Sequence, residues 1–126
     1  VLATARRGVY SADARGLSPE LLRRHFMRGT GPNAGFIRVR SELGKNIEFR
    51  PFNLMTASWS ALGAPFDIVF CRNVMIYFDN PTQRQVLERI HKAMKPGGLL
   101  YVGHSENFTD ARDLFRLRGK TVYERV

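Results

Sequence analysis

The hydrophobic pattern of this chain centres on Ile68-Val69-Phe70-Cys71, a continuous apolar run with Phe66 just ahead of it. Its β-branched and aromatic content, bounded by Pro65 and by polar residues, predicts a strand buried on both faces. Arg72 and Asn73 follow where that strand emerges. In open α/β sheets ligands bind beyond the carboxyl ends of the strands. A second apolar run, Val74 to Phe78, carries one phenol, Tyr77. Beyond it Val86, Leu87, Ile90, Ala93 and Met94 recur at helical spacing and predict the buried stripe of a helix. Asp79-Asn80-Pro81 opens that helix, with Asn80 as the cap and Pro81 in the first turn. Lys95-Pro96-Gly97-Gly98 ends it. Leu99 to Gly103 reads as a further buried strand, and His104-Ser105-Glu106-Asn107 as the loop at its end. Leu114 to Arg118 and Thr121 to Val126, separated by Gly119-Lys120, read as an antiparallel hairpin.

Ahead of this block, residues 2 to 7 read as the tail of a helix, followed by a polar break from Ser11 to Gly16. Ser18-Pro19-Glu20 has the cap, proline and acid of a helix start. Leu21, Leu22 and Phe26 form its apolar face, and Gly29 stops it. Arg28 to Gly35, R-G-T-G-P-N-A-G, is a loop. It is not GxGxxG and it follows a helix, so it is no dinucleotide fingerprint. Phe36 to Arg40 alternates, with Ile37 and Val39 on one face and Arg38 and Arg40 on the other. A small hairpin or edge strand beside such a loop can accept an added peptide strand, and arginines would favour an acidic one. A solvated strand face fits the pattern equally well. Ile47 to Phe52 reads as another strand, ending at Asn53-Leu54. Thr56 to Pro65 reads as a loop or short helical turn with Trp59 capping the core. Strands flanking the long helix predict a βαβ unit in a largely parallel sheet, with the hairpin adding an antiparallel strand.

The 126 residues make one domain or part of one, and the net charge of +9 favours an acidic partner. The single cysteine, Cys71, fits a small core hydrophobe. No run of about 18 apolar residues predicts a transmembrane helix, and no signal peptide is evident. The opening V-L-A-T-A-R-R lacks an initiator Met and reads as the interior of a longer chain.

The three histidines, His25, His91 and His104, form no HExxH, and there is no CxxC, so no metal site is expected. Ser105 beside His104 is no triad, lacking G-x-S-x-G, and no P-loop is present. What remains is polar residues at strand ends: Asn53, Arg72-Asn73 and the 104–107 loop. An amide offers an adenine edge both donors and an acceptor. Arg72 can meet a carboxylate with two parallel bonds. Tyr77 can donate to developing charge or orient an attacking oxygen. Taken singly, each also fits a structural role.

F-C-R-N-V-M-I-Y-F, followed by M-K-P-G-G-L-L-Y-V-G-H-S-E-N-F, closely resembles the chemotaxis receptor methyltransferases of the CheR family. L-R-R-H-F-M-R-G-T-G-P, the stretch through Asn53-Leu54 and the final L-R-G-K-T-V-Y match as well, so the resemblance covers essentially the whole chain. It implies an α/β fold: part of a class I S-adenosylmethionine (SAM) methyltransferase, a Rossmann-like doubly wound sheet carrying a small inserted antiparallel β-subdomain at about residues 28–46. The family's helical N-terminal domain, first SAM-binding strand and ribose-binding acid would lie upstream of Val1, so the chain alone should be inactive. The resemblance implies that Asn53 and Leu54 hold the adenosine end of SAM, with Arg72 and Asn73 as further contacts near methyl transfer. Tyr77, with Arg72, would be catalytic beside the incoming glutamate. Arg28, Gly29, Gly31, Gly35 and Arg38 would bind a receptor C-terminal peptide by strand addition. The implied reaction is SAM-dependent O-methylation of glutamates on acidic helices of methyl-accepting chemotaxis receptors, by a cytoplasmic monomer without nucleic-acid partners or membrane insertion. The alternatives are a methyltransferase of the same fold acting on nucleic acid or a small molecule, and a non-catalytic receptor-binding fragment.

Overall fold

A computed structural model describes residues 1–13, 16–63 and 65–126. Residues 14 and 15 of the expected polar break, and residue 64 of the expected loop, lie outside the described residues. The chain is mixed α/β with two sheets and divides into two compact units, Val1–Phe52 and Asn53–Val126.

In the first unit, helix α1 (Leu2–Arg7) ends at Gly8 in the left-handed region, φ 62°, a conformation glycine adopts without penalty. Strands β1 (Val9–Ser11), β2 (Phe26–Arg28) and β3 (Phe36–Val39) form an antiparallel sheet in the order β1-β3-β2. Of the two expectations for β3, a small hairpin or an edge strand, the hairpin forms, with β2 as its other arm; β3 is not an edge but the central strand, paired on both sides. Open edges belong to β1 and β2. Helix α2 (Pro19–His25) begins as expected, with the Ser18 hydroxyl accepting from the Leu21 N–H at 3.2 Å. It does not run on to Gly29. Phe26 turns extended and, with Met27 and Arg28, takes strand partners on β3; a sheet ladder replaces the last helical turn. Helix α3 (Ser41–Gly44) is a short turn that the hydrophobic pattern does not announce. The strand expected over Ile47–Phe52 does not form, because that backbone has no strand partner among the described residues. The Phe49 carbonyl instead accepts from the Arg6 guanidinium at 3.0 Å.

In the second unit, β4 (Phe66–Cys71), α4 (Asn80–Ala93) and β5 (Met94–Val102) form the expected βαβ unit with parallel strands. The C-terminal hairpin is β6 (Phe115–Leu117) and β7 (Val122–Arg125), in the sheet order β4-β5-β7-β6. Only the β4–β5 pair is parallel, while β5–β7 and β6–β7 are antiparallel. Within the described residues the sheet is thus not largely parallel. Asp79, rather than Asn80, caps α4, accepting from the Thr82 N–H at 2.9 Å, with Pro81 in the first turn. Lys95-Pro96-Gly97-Gly98 lies inside β5 as an irregularity in the pairing, with Gly97 at φ 78°, and is not a separate loop.

The core gathers Val86, Leu87, Ile90 and Ala93 of α4 with Met94, Leu100 and Val102 of β5, and adds Met75, Phe115 and Tyr123. Each large apolar side chain removed from water contributes about 1.5–3 kcal/mol. Trp59 is buried, as expected of a capping residue. The strand expected to be buried on both faces is not. Cys71 is buried, but Ile68 is 51% and Phe70 69% exposed. The reason is position: β4 is an edge strand, and within the second unit α4 lies on the opposite face from the one that Ile68 and Phe70 share with Leu99 and Tyr101. Phe70 covers part of it by stacking on Tyr101, ring centroids 4.7 Å apart.

Candidate functional site

The parallel pairing sets Cys71 beside Val102, so the two strands release their chains side by side at their carboxyl ends. Arg72-Asn73 leaves one strand and Gly103-His104 the other. Between them lies Glu106, 5% exposed and the one buried charged residue among those described. One of its carboxylate oxygens accepts the N–H of Asn73 at 2.8 Å and of Gly103 at 2.7 Å; the other accepts the N–H of Met75 at 2.8 Å. The Glu106 N–H donates back to the Gly103 carbonyl at 3.1 Å, a reciprocal i, i+3 arrangement like that of a capping box. A buried carboxylate is tolerated only with such partners.

This clamp fixes an unusual corner. Asn73 has φ 59°, the one non-glycine at positive φ among the described residues. Asparagine tolerates that region better than most residues, but it still adopts it only where the surroundings demand it. Gly103 answers it from the other strand: a Cβ there would collide with the Asn73 side-chain oxygen. Two strand ends therefore meet closely enough to exclude a methyl group. Tyr123 holds the rest of the second loop, its hydroxyl accepting from the Phe108 N–H at 3.2 Å.

Tyr77 lies three residues beyond Val74, in a turn spanning Met75–Tyr77. Gln83 of α4 holds this turn, donating to the Met75 carbonyl at 2.7 Å and the Phe78 carbonyl at 3.2 Å. The Tyr77 side chain is 81% exposed. Arg72 is exposed and its guanidinium has no partner among the described residues. The corner thus presents a free cation, an amide in a fixed backbone conformation and a free phenol. Asn53 and Leu54 sit in a different stretch. The Asn53 side-chain oxygen accepts from its own Met55 N–H at 2.9 Å, which commits part of its acceptor capacity locally. The Leu54 carbonyl accepts from Arg89 of α4 at 3.4 Å. No hydrogen bond joins this turn to Arg72-Asn73 among the described residues.

Burial, with a smaller contribution from the Glu106 charge, pushes the Cys71 thiol up to about 11. It stays protonated at neutral pH and is no thiolate nucleophile. Among the described residues no three His, Cys, Asp or Glu side chains converge as metal ligands, and no helix is long and apolar enough to cross a membrane.

The loop residues named from sequence lie in the first unit. Gly29 donates to the Phe36 carbonyl at 2.9 Å, and a Cβ on it would collide with the Asn33 backbone. Gly31 and Gly35 have φ 56° and 88°. Arg38 pairs across from Val9 and Met27 and shares their face, whereas Arg28 pairs with Ile37 on the other. Both border a cavity of about 240 Å³ that also touches Gly29 and Phe36. Neither guanidinium has a partner among the described residues.

Sequence reasoning missed Glu106 and Gln83 as builders of the corner. For Glu106 a signal was available: a carboxylate three residues after a strand-ending glycine has the spacing for a reciprocal bond.

A βαβ unit with a polar, backbone-clamped corner beyond its parallel strands is what a nucleotide-type cofactor domain requires. A family model described as "CheR methyltransferase, SAM binding domain" matches residues 1–124. The chain belongs to this CheR methyltransferase family, whose cofactor is S-adenosylmethionine. It is 54% identical over 124 residues to a chemotaxis protein methyltransferase of Klebsiella aerogenes, and 51% identical over 124 residues to that of Escherichia coli K12. It is 52% identical over 124 residues to chemotaxis protein methyltransferase 2 of Pseudomonas aeruginosa. Each match takes in 98% of this chain and 42%, 43% and 44% of those relatives, respectively.

Proposed function

We propose that this chain is the C-terminal portion of a SAM-dependent methyltransferase that esterifies glutamate side chains of chemotaxis receptors. The observation that carries the reading is the Arg72–Asn73 corner, clamped beyond a parallel strand in a chain of this family. The residues fit the cofactor. Asn73 is rigidly presented, Gly103 lets two backbones close together, and Arg72 and Tyr77 face solvent unpaired. Asn53 and Leu54 would hold the adenosine end. In this reading the sheet continues as a doubly wound class I fold, and residues 28–46 belong to an inserted β-subdomain. A preceding segment supplies the rest of the pocket, so the chain alone is expected to be inactive.

SAM supplies a methyl group on a positively charged sulfur. A receptor glutamate oxygen would accept that methyl from bound SAM, giving a methyl ester and S-adenosylhomocysteine. The carboxylate is already ionised at neutral pH, so no general base is needed. The task left to the protein is positioning and exclusion of water, worth several kcal/mol. Arg72 is suited to orient a carboxylate and Tyr77 to donate to it. The +9 charge favours acidic receptor helices. A cytoplasmic, monomeric enzyme belongs to the same proposal.

Transfer of tritium from methyl-labelled SAM by the full-length protein tests it, with receptor membranes and DNA offered in parallel. Base-labile label in receptors is expected; label in DNA alone would overturn the reading. Receptor-tail capture is favoured by the open edge of β2 beside the Gly29–Gly35 loop. Titration with an acidic, aromatic-containing C-terminal receptor peptide should give binding that Arg38→Glu weakens. Unchanged binding would remove Arg38 from that site.

A further inference from the structure

We propose that Glu106 is the positioning residue of the cofactor corner, setting SAM affinity by holding residues 72–75 in the conformation that receives it. The inference rests on the SAM reading of Arg72-Asn73 and adds a residue that touches no substrate. Three features support it. First, the Glu106 carboxylate accepts three backbone N–H groups at 2.7–2.8 Å, two of them from the segment that carries Asn73 and leads to Tyr77. Second, those bonds join loops that leave different strands, so neither loop can shift without breaking them. Third, Asn73 sits at φ 59°, a conformation that relaxes unless its neighbours enforce it. The N–H bond of Asn73 and that of Met75 bracket this residue and fix its backbone from both sides. Glu106 also stabilises its own loop through Gly103, so cofactor contacts from either strand end depend on one carboxylate.

The geometry ranks the substitutions. Glu106→Gln keeps an oxygen for the Asn73 and Gly103 N–H groups but turns an NH2 toward the Met75 N–H, where donor meets donor. Glu106→Ala releases all three. In the full-length protein, S-adenosylhomocysteine binding is measured by calorimetry at a temperature where each variant is folded by circular dichroism. Ile90→Ala serves as a destabilised control, since Ile90 is a fully buried residue of α4 outside the corner.

The expected order of affinity is wild type, then Glu106→Gln, then Glu106→Ala, with at least about a tenfold loss at the last. Ile90→Ala should bind like wild type despite its lower melting temperature. SAM KM should rise in Glu106→Gln more than kcat falls. Wild-type affinity in folded Glu106→Gln, or an equal loss in Ile90→Ala, would overturn the positioning role. If Glu106→Ala does not fold, Glu106→Gln against Ile90→Ala decides alone. Failure of the wild type to bind S-adenosylhomocysteine is a different result: it overturns the SAM reading itself, and this inference with it.

Discussion

Replacing Asn73 by glycine and by alanine separates what its backbone does from what its amide does. At φ 59° an alanine meets the steric penalty of the left-handed region, about 1–2 kcal/mol. A glycine meets none, but loses more chain entropy on folding, about 0.5–1 kcal/mol. Glu106 holds the corner in both variants, so the backbone cannot simply relax. Asn73→Gly should therefore be more stable than Asn73→Ala by about 0.5–1 kcal/mol, the reverse of the usual order of these residues in regular structure. Urea unfolding of the full-length protein measures the difference. Both variants lose the amide. If that amide makes one hydrogen bond to the cofactor, worth about 1 kcal/mol, each should bind S-adenosylhomocysteine about fivefold more weakly. Alanine should lose more wherever its strain tilts Arg72 away. Alanine as stable as glycine would mean that residue 73 is not held left-handed in solution. Glycine binding the cofactor with wild-type affinity would mean that the amide makes no contact, and the role would pass to Arg72 and the backbone.

Ile90→Ala removes three buried carbons, about 2.4 kcal/mol of transfer free energy at about 0.8 per methylene; with the cavity left behind, about 3–4 kcal/mol is expected. A loss below about 1 kcal/mol in urea unfolding would mean that α4 is not seated on β5. The Arg84 guanidinium, bonded to Asp113 at 2.6 and 2.7 Å, holds that carboxyl down to about 2 from an ordinary 3.8. The native state therefore favours the carboxylate. Its stabilisation is present above about pH 4 and is lost as pH falls toward about 2. Asp113→Asn should be less stable than wild type at neutral pH and converge with it near that lower limit. The gap should shrink in high salt, because the pair is largely exposed. A constant gap across the acid range would assign the effect to something other than this pair.

Periodicity is most informative where one element covers another. Val86, Leu87, Ile90 and Ala93 read correctly as the buried stripe of α4 because their spacing is imposed by the surface they pack on. The apolar run of β4 misleads for the complementary reason. Its composition suits cover on both faces, yet Ile68 and Phe70 remain exposed, since composition says what a strand could bury and not what stands next to it. The same gap explains Ile47–Phe52, which has strand composition and no strand partner among the described residues. In the first unit, the alternation of Phe36–Val39 identifies a strand but is silent on whether it is central. The pairing of both its edges follows from Val9–Ser11 and Phe26–Arg28, stretches too short to announce themselves.

The site divides along the same line. Arg72, Asn73 and Tyr77 are legible because a polar group directly after an apolar strand is conspicuous in one dimension. The clamp that gives them a geometry is not, because it joins positions 33 and 31 residues apart, Asn73 and Met75 to Glu106. In sequence Glu106 is one acid in a polar loop, and its spacing from Gly103 hints only at the local bond within that loop, not at the bonds to Asn73 and Met75. Its burial depends on Cys71 and Val102 lying side by side, which only the pairing of β4 with β5 provides. Glu106 then does for the two loops what a helix cap does for one turn: it satisfies N–H groups that the strands can no longer pair. Residues that meet a ligand can be proposed from their chemistry. Residues that hold them in place emerge only when the backbone donors at a strand end are accounted for one by one.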